Sequence, residues 1–258
     1  MILNTRSRQI VQRDFTIGSH QSWISGRYPI PRNWLVGEWI LNWDALDSSG
    51  YWNNGTATNV TYASTDIWYQ AQASVHNWST SKIACWNILD ETGANPFSLS
   101  CWVKFTSLWS QMIYWKQLNS WSFWWFMLWQ QRLTAPTRDF ISMSLVSNDS
   151  TFGQANKSTT FNWITTWVWY HIVWTYDWSK TAAWIKIFIN TVEWYDAWST
   201  IDTLWTKSIS TSADFWIGSR NSWNLPTNWN IQLCRKYDHI LSTKEIQSLY
   251  MEWLKLLH

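Results

Sequence analysis

The chain has 258 residues, which is enough for one large β-domain or two small ones. It is 46% hydrophobic and 14% charged, so it can bury a substantial core. The formal net charge is +2 and no run of basic residues occurs, which argues against nucleic-acid binding. No apolar stretch reaches the ~18 residues of a membrane span, and the three cysteines form no CxxC pair, which argues against a disulfide framework and a structural zinc.

The first 33 residues differ from the rest of the chain. They carry five arginines, at positions 6, 8, 13, 27 and 32, and little hydrophobic periodicity. We interpret residues 1–33 as an arm or linker, with an anion-binding patch as the alternative, and residues 34–258 as one β-domain. Residues 1–13 lack the apolar core of a secretory signal. The sequence therefore predicts either no export by that route or a piece of a longer chain.

Strand patterns begin at residue 35. Leu35–Leu41 predicts a first strand, and a long polar loop follows at Asp44–Thr56. Turn signals separate the later segments at short intervals, and no helical pattern intervenes, which is typical of a β-sandwich or barrel. The further predicted strands are 57–62, 67–76, 81–85, 97–105, 110–116, 123–130, 138–146, 168–176, 183–190, 213–218 and 229–237.

The segment Trp167–Glu193 predicts a hairpin with one buried face. Apolar residues alternate with polar ones at strand period in both halves. The inward positions are Tyr170, Ile172, Trp174 and Tyr176, followed by Ile185, Ile187 and Ile189. Lys186 and Asn190 lie on the opposite face of the second strand. The turn holds Trp178 where a tight turn favours Gly or Asn, and we expect an exposed indole there that packs against nothing.

One helix is predicted, near the carboxyl end of the chain. Ser242 and Glu245 have the spacing of a capping box, in which each residue satisfies a backbone N–H of the other. Apolar residues then recur at helical spacing: Ile246, Leu249, Tyr250, Trp253, Leu254 and Leu257. This stripe predicts packing against the sandwich, with a partner interface as the alternative.

Tryptophan is the compositional anomaly, with 28 copies against only 8 glycines. Many tryptophans lie in polar turn clusters, such as Asn42–Asp44, Tyr51–Asn53 and Asp177–Ser179, where glycine is usual. One hypothesis is recoding: some bacterial lineages translate UGA as glycine, and reading that codon as tryptophan would give this pattern. The alternative is a truly tryptophan-rich lectin. Trp102 and Trp169 lie in strand patterns and are interpreted as genuine.

Several motifs, in the same order, resemble one known family. Leu35–Trp39 with Asp47–Thr56, then Pro96–Lys104, Trp169–Val173 and Tyr237–Tyr250, resemble the laminin-G-like, concanavalin A-like lectin-glucanase domains. The resemblance covers roughly residues 35–251 and implies an all-β, concanavalin A-like jelly-roll β-sandwich with a short C-terminal helix. Five departures put tryptophan where the family has glycine, at Trp43, Trp52, Trp78, Trp174 and Trp178.

Members of that superfamily often bind calcium, so the resemblance implies a calcium site in the polar loop. Calcium takes six to eight oxygen ligands, of which Asp44, Asp47 and Asn53, with Asn54, could supply some. Two acids of the family's closing strand are replaced by Gln232 and Leu233, which weakens the case. The alternative is that these loop residues only shape an Asx-type turn.

Catalytic residues are not evident. Glycosidases on this architecture need two facing carboxylates, and the five glutamates, at positions 38, 91, 193, 245 and 252, form no such set. His171 is interpreted as a sheet residue, and Cys101 and Cys234 as small core residues.

The resemblance therefore implies a noncatalytic glycan-binding or surface-ligand-binding adhesion module of a larger extracellular, cell-surface or virion protein. The alternatives are a glycoside hydrolase-like enzyme and a structural spacer. The aromatic cluster Trp121–Phe126 could stack on sugar rings, but recoding would remove its tryptophans.

Overall fold

The chain folds into two antiparallel sheets. A computed structural model describes residues 30–64, 72–77, 80–88, 95–108, 111–116, 126–134, 137–147, 153–160, 164–194, 200–204, 209, 212–218 and 229–255. The first sheet contains β1 (Leu35–Trp39), β3 (Thr61–Ser64), β4 (Gln72–Val75), β6 (Phe97–Phe105), β11 (Trp169–Tyr176), β12 (Lys186–Ile189), β13 (Val192–Trp194) and β16 (Trp229–Tyr237). The second contains β2 (Gly55–Thr58), β5 (Lys82–Cys85), β7 (Gln111–Lys116), β8 (Phe126–Thr134), β9 (Thr137–Val146), β10 (Gln154–Thr160), β14 (Ile201–Asp202) and β15 (Phe215–Ile217).

The order of strands shows how distant parts of the chain meet. The first sheet runs β13-β12-β11-β6-β16-β4-β3, and β1 also pairs with β16. The second runs β14-β10-β9-β8-β7-β15-β5-β2. One helix, α1 (Thr243–Lys255), follows β16. The predicted all-β sandwich with a C-terminal helix is confirmed.

The main core lies between the two sheets. Inward residues of β6 and β11 form its centre, with Cys101 opposite Ile172 and Leu99 opposite Trp174 in the strand register. Cys101 and Cys234 are both fully buried there, as predicted. Period-two alternation thus builds the core that the sequence indicated.

A second apolar layer covers the outer face of the first sheet. Ile246 and Leu249 of α1 pack with Val173, while Trp253 stacks on Trp102 with ring centroids 3.9 Å apart. The helix stripe from Ile246 to Leu254 therefore packs against the sandwich, as predicted, and Leu257 lies outside the described residues. The expectation that the β11 hairpin buries only one face is wrong for β11, because α1 covers its other face and residues such as Val173 are buried as well.

The capping box at the start of α1 forms as predicted. The backbone N–H and the hydroxyl of Ser242 donate to Glu245 Oε2 at 2.8 and 2.7 Å, and the Glu245 N–H donates to Ser242 Oγ at 3.3 Å. Both residues therefore satisfy donors that the helix itself leaves unpaired.

We expect Ser242→Ala to lower the free energy of unfolding by about 1 kcal/mol, because the exposed N-terminus of α1 loses its cap. Urea unfolding followed by tryptophan fluorescence measures this change. Thr243→Ala, one residue further along, is the control and should change stability by less. Equal losses in both variants would show that the cap contributes nothing specific.

The turn of the β11–β12 hairpin departs from expectation in one respect. Trp178 has φ of 78°, a left-handed conformation that favours glycine. Its indole is half-buried, packs against the main core and stands edge-on to Tyr176 at 6.5 Å. The prediction of an unpacked indole is wrong, because the turn folds the ring back over the end of β11.

Some strand boundaries differ from the sequence-based ones. The predicted strand 57–62 contains a turn at Asn59, where φ is 51°, and it splits into β2 and β3 of different sheets. β10, β13 and β14 were not predicted. The second hairpin strand begins at Lys186 rather than at residue 183, because Ala182–Trp184 form a 3-10 helix.

Candidate functional site

The loop between β1 and β2, residues 42–54, is organised around one carboxylate and is called here the Asp47 loop. Asp47 Oδ1 accepts hydrogen bonds from the backbone N–H groups of Glu38 and Ser49, at 2.8 and 2.9 Å. Oδ2 accepts from the N–H of Asn53 at 2.9 Å and from the Ser49 hydroxyl at 2.8 Å. Four donors on one carboxylate hold the loop against the end of β1.

Further hydrogen bonds tie both ends of the Asp47 loop to the sandwich. The indole N–H of Trp39 donates to the carbonyl of Asn53 at 2.9 Å, and the Asn53 amide donates to the Val36 carbonyl at 2.7 Å. The Gly55 N–H donates to the Ala45 carbonyl at 2.7 Å. The loop therefore presents its outward side chains from a fixed backbone.

Those outward side chains are largely aromatic. Trp43, Tyr51 and Trp52 are 61%, 63% and 82% exposed. Trp86, 72% exposed, directly follows Cys85, the register partner of Gly55, so it lies at the same end of the second sheet. We call the exposed side chains of the Asp47 loop and Trp86 the rim surface. Flat aromatic faces of this kind can stack on the apolar faces of sugar rings.

Polar groups lie beside the rim surface. Asn87 is exposed, and its side-chain oxygen accepts a hydrogen bond from the ammonium of the buried Lys116. The same ammonium donates to the Ile88 carbonyl at 2.7 Å. Lys116 thereby fixes the orientation of the Asn87 amide next to Trp86.

The predicted calcium ligands Asp44, Asp47 and Asn53 share the Asp47 loop, but their present bonding does not fit a cation. Both oxygens of Asp47 already accept two hydrogen bonds each, and Asp44 Oδ1 accepts from the Leu46 N–H at 3.0 Å. Across the described part of the chain, no three His, Cys, Asp or Glu residues gather where they could hold a metal ion. Calcium binding stays a prediction, and the hydrogen bonds favour the turn-shaping alternative.

The four described glutamates each have a partner. Glu193 pairs with Lys186 at the surface, and Glu245 caps α1. Glu38 and Glu252 both contact the guanidinium of Arg235, at 2.8 and 2.6 Å. Burial acts to raise the pKa of Glu38, but the Arg235 charge and hydrogen bonds from Arg235, Arg32 and Ser48 outweigh it and lower the pKa. Glu38 is therefore an ionised structural group rather than a proton donor.

The buried histidines are also structural. Burial lowers the pKa of His171 to about 3 and that of His76 to about 4, so both rings are neutral at neutral pH. His171 stacks on Trp102 beneath α1, with ring centroids 5.1 Å apart. The predicted aromatic cluster Trp121–Phe126 lies outside the residues described, except for the backbone of Phe126 at the start of β8. Glu91 lies outside them too.

Sequence comparisons found nothing that matches. No family model matches the chain, and no curated protein matches it. Among its described residues, no helix has both the length and the apolar character needed to cross a membrane.

Solved structures do share the fold. Domain 4 of AbnA, a GH43 extracellular arabinanase from Geobacillus stearothermophilus solved in complex with arabinotriose, is 23% identical with a TM-score of 0.59, and the match covers 87% of this chain and 98% of that domain. The binding domain of Paraclostridial Mosquitocidal Protein 1 is 14% identical with a TM-score of 0.63, covering 85% and 52% of the two chains.

A third similar structure is the ligand-binding domain of botulinum neurotoxin serotype D in complex with N-acetylneuraminic acid. It is 16% identical with a TM-score of 0.61, and the match covers 86% of this chain and 51% of that one. This chain thus spans about half the length of the two toxin binding domains. At these identities the likeness establishes a shared β-sandwich fold.

Proposed function

We propose that this chain is a noncatalytic glycan-binding module, and that the rim surface is where it contacts sugar. The observation that carries the proposal is a set of exposed aromatic rings on a loop whose backbone is fixed by the Asp47 carboxylate. The fold adds support, since arabinotriose and N-acetylneuraminic acid are bound by domains of similar architecture. Family membership in the laminin-G-like superfamily is part of the same proposal.

Tyr51 and Trp86 are the residues we assign to stacking. Both are more than 60% exposed, and neither has a positive φ that would strain a bulky residue. Stacking uses the apolar face of a sugar ring, and neighbouring amides such as Asn87 donate to its hydroxyl groups. Because the Asp47 loop is already ordered by its own hydrogen bonds, little conformational entropy is lost when the sugar binds.

Alanine substitution tests the assignment. We expect Tyr51→Ala and Trp86→Ala each to weaken oligosaccharide binding about tenfold, a loss of about 1.4 kcal/mol. A glycan array that includes arabinan fragments and sialylated oligosaccharides identifies the ligand, and titration calorimetry measures the change. Trp184→Ala is the matched control, because Trp184 is 55% exposed but lies in the 3-10 helix before β12. Equal weakening by all three variants would contradict the assignment.

The same protein sample also tests the two alternative functions, a glycoside hydrolase and a structural spacer. A glycoside hydrolase would release reducing sugar from a polysaccharide, whereas we expect none, because Glu38 and Glu252 are held by Arg235. A structural spacer would bind nothing on the array. Localisation at a cell surface or on a virion, as part of a larger protein, belongs to the proposal and is tested by proteomics of surface and virion fractions from the source.

Calcium is tested separately. With the Asp47 carboxylate already saturated by N–H and O–H donors, we expect calcium or EGTA to leave the unfolding temperature unchanged. Asp47→Asn should destabilise the protein equally with and without calcium, because it weakens the loop hydrogen bonds. A calcium-dependent rise in unfolding temperature that Asp47→Asn abolishes would establish the metal site instead.

A further inference from the structure

Ten non-glycine residues of the described chain have a positive φ, and four of them are tryptophan. These are Trp34, Trp52, Trp167 and Trp178, with φ of 64°, 63°, 68° and 78°. The left-handed region is disfavoured for residues with a Cβ and is visited mainly by Gly, Asn and Asp. A tryptophan side chain cannot offset that cost by hydrogen-bonding its own turn as Asn does.

Three of the four indoles contribute little to packing. Trp34, Trp52 and Trp167 are 65%, 82% and 66% exposed. Trp178 is half-buried, but it lies in an Asx turn, in which the Ser179 N–H donates to Asp177 Oδ1 at 2.9 Å, and its φ of 78° favours glycine. Among the described glycines, Gly50 and Gly218 also have a positive φ.

Trp39, by contrast, is a tryptophan whose indole ring the fold uses for packing and hydrogen bonding. It is fully buried in β1, and its indole N–H donates to the Asn53 carbonyl at 2.9 Å. The chain makes room for the ring: a Cβ added to Gly37 would lie 2.4 Å from the indole. None of these features is found at the four positive-φ positions that are described above.

We infer that Trp34, Trp52, Trp167 and Trp178 are glycine in the natural protein, their codon being UGA translated as glycine in the source organism. Tyr51 and Trp86, the two residues assigned to stacking, are not among the four, so the inference leaves that assignment in place. It does remove Trp52 from the rim surface.

The gene and the native protein provide the first test. We expect UGA at the four positions and UGG at Trp39. Peptide masses from the native source should show glycine at the four positions and tryptophan at Trp39. UGG codons at the four positions, or tryptophan in the native peptides, would overturn the inference.

Recombinant variants provide a second, physical test. A chain carrying W34G, W52G, W167G and W178G should unfold at a higher temperature than the tryptophan form, because the left-handed strain is relieved. Trp43→Gly and Trp86→Gly are matched controls, since both residues are more than 60% exposed but neither has a positive φ. They should leave the unfolding temperature unchanged or lower it. A fourfold variant that unfolds at a lower temperature than the tryptophan form would contradict the geometric argument.

Measuring glycan binding by the fourfold glycine variant distinguishes a failure of this inference from a failure of the proposed function. If the fourfold glycine variant binds sugar as the tryptophan form does, stacking rests on residues outside the four, as we propose. If binding is lost only in the fourfold variant while Tyr51→Ala binds normally, the assignment to Tyr51 fails and the codon result still stands on its own.

Discussion

Arg235→Met is expected to lower the free energy of unfolding by about 3–5 kcal/mol. The guanidinium is 2% exposed and binds Glu38, which is 3% exposed, and Glu252. Methionine keeps much of the apolar stem volume, so the loss isolates the charge. Without Arg235 the Glu38 carboxylate would remain buried, with the solvent-exposed Arg32 as its remaining ion-pair partner. Urea unfolding at neutral pH measures the effect.

Two further variants show how much of the stability lost in Arg235→Met comes from the buried charges. Lys186→Met removes one partner of an ion pair whose side chains are 41% and 37% exposed, and surface pairs of this kind contribute about 0–1 kcal/mol. Adding Glu38→Gln and Glu252→Gln to Arg235→Met should recover part of the stability, because no buried charge is then left unpaired. If Arg235→Met cost no more than Lys186→Met, the buried ion pairs would be ruled out as a main source of stability.

Gly218→Ala is expected to destabilise the protein by about 2–5 kcal/mol, the sum of a left-handed backbone and an overpacked core. Gly218 has φ of 76°, and a Cβ there would lie 2.2 Å from the ring of His76. That ring cannot move away freely, because it is fully buried and its Nε2 lies 3.2 Å from Ser74 Oγ. Thermal and urea unfolding both report the change.

Gly50 supplies the control for the backbone contribution. It has φ of 96°, but nothing lies within 4 Å of an added Cβ. Gly50→Ala should therefore lower the free energy of unfolding only by the cost of the left-handed backbone. The difference between the losses in Gly218→Ala and Gly50→Ala measures the clash with His76. The double variant His76→Ala/Gly218→Ala should show a favourable coupling energy, because the loss of the His76 ring removes the clash that the Cβ at position 218 creates. Additive losses would show that the ring does not obstruct position 218.

The parts of the fold that follow apolar alternation were predictable from the sequence. β6 and β11 alternate cleanly, and the Ser242 capping box marks the start of α1 without ambiguity. β16 was predicted as well, although its alternation shifts by one residue between Gln232 and Arg235. β10 was missed because every one of its residues except Ala155 is polar, although the strand is mostly buried. It is held by contacts such as the bond from Ser142 Oγ to Ser158 Oγ at 2.8 Å. Hydrophobic periodicity carries no signal for such a strand.

The candidate site was predictable only in outline. The sequence indicated a polar loop near Asp47, but the donors to its carboxylate come from β1 and from the loop's own backbone. The pairing of Glu38 with Arg235 joins residues 197 positions apart, and no local sequence pattern predicts such a pair. The sequence also placed Trp174 among the expected glycines, whereas the structure buries its ring fully beside Tyr114. The likeness to the family marks both Trp174 and Trp178 as glycine positions, and the full burial of Trp174 separates it from Trp178.

The pairing of β16 bears on how the protein is made. This strand is the last in the sequence, yet it hydrogen-bonds to β6, to β4 and, through Leu35 opposite Tyr237, to β1. The first sheet therefore cannot close until nearly the whole domain has left the ribosome. Until then β1, β4 and β6 expose edges that other strands can join. We expect a nascent chain stalled before Trp229 to be aggregation-prone and protease-sensitive, and the first sheet to be completed only once β16 has emerged.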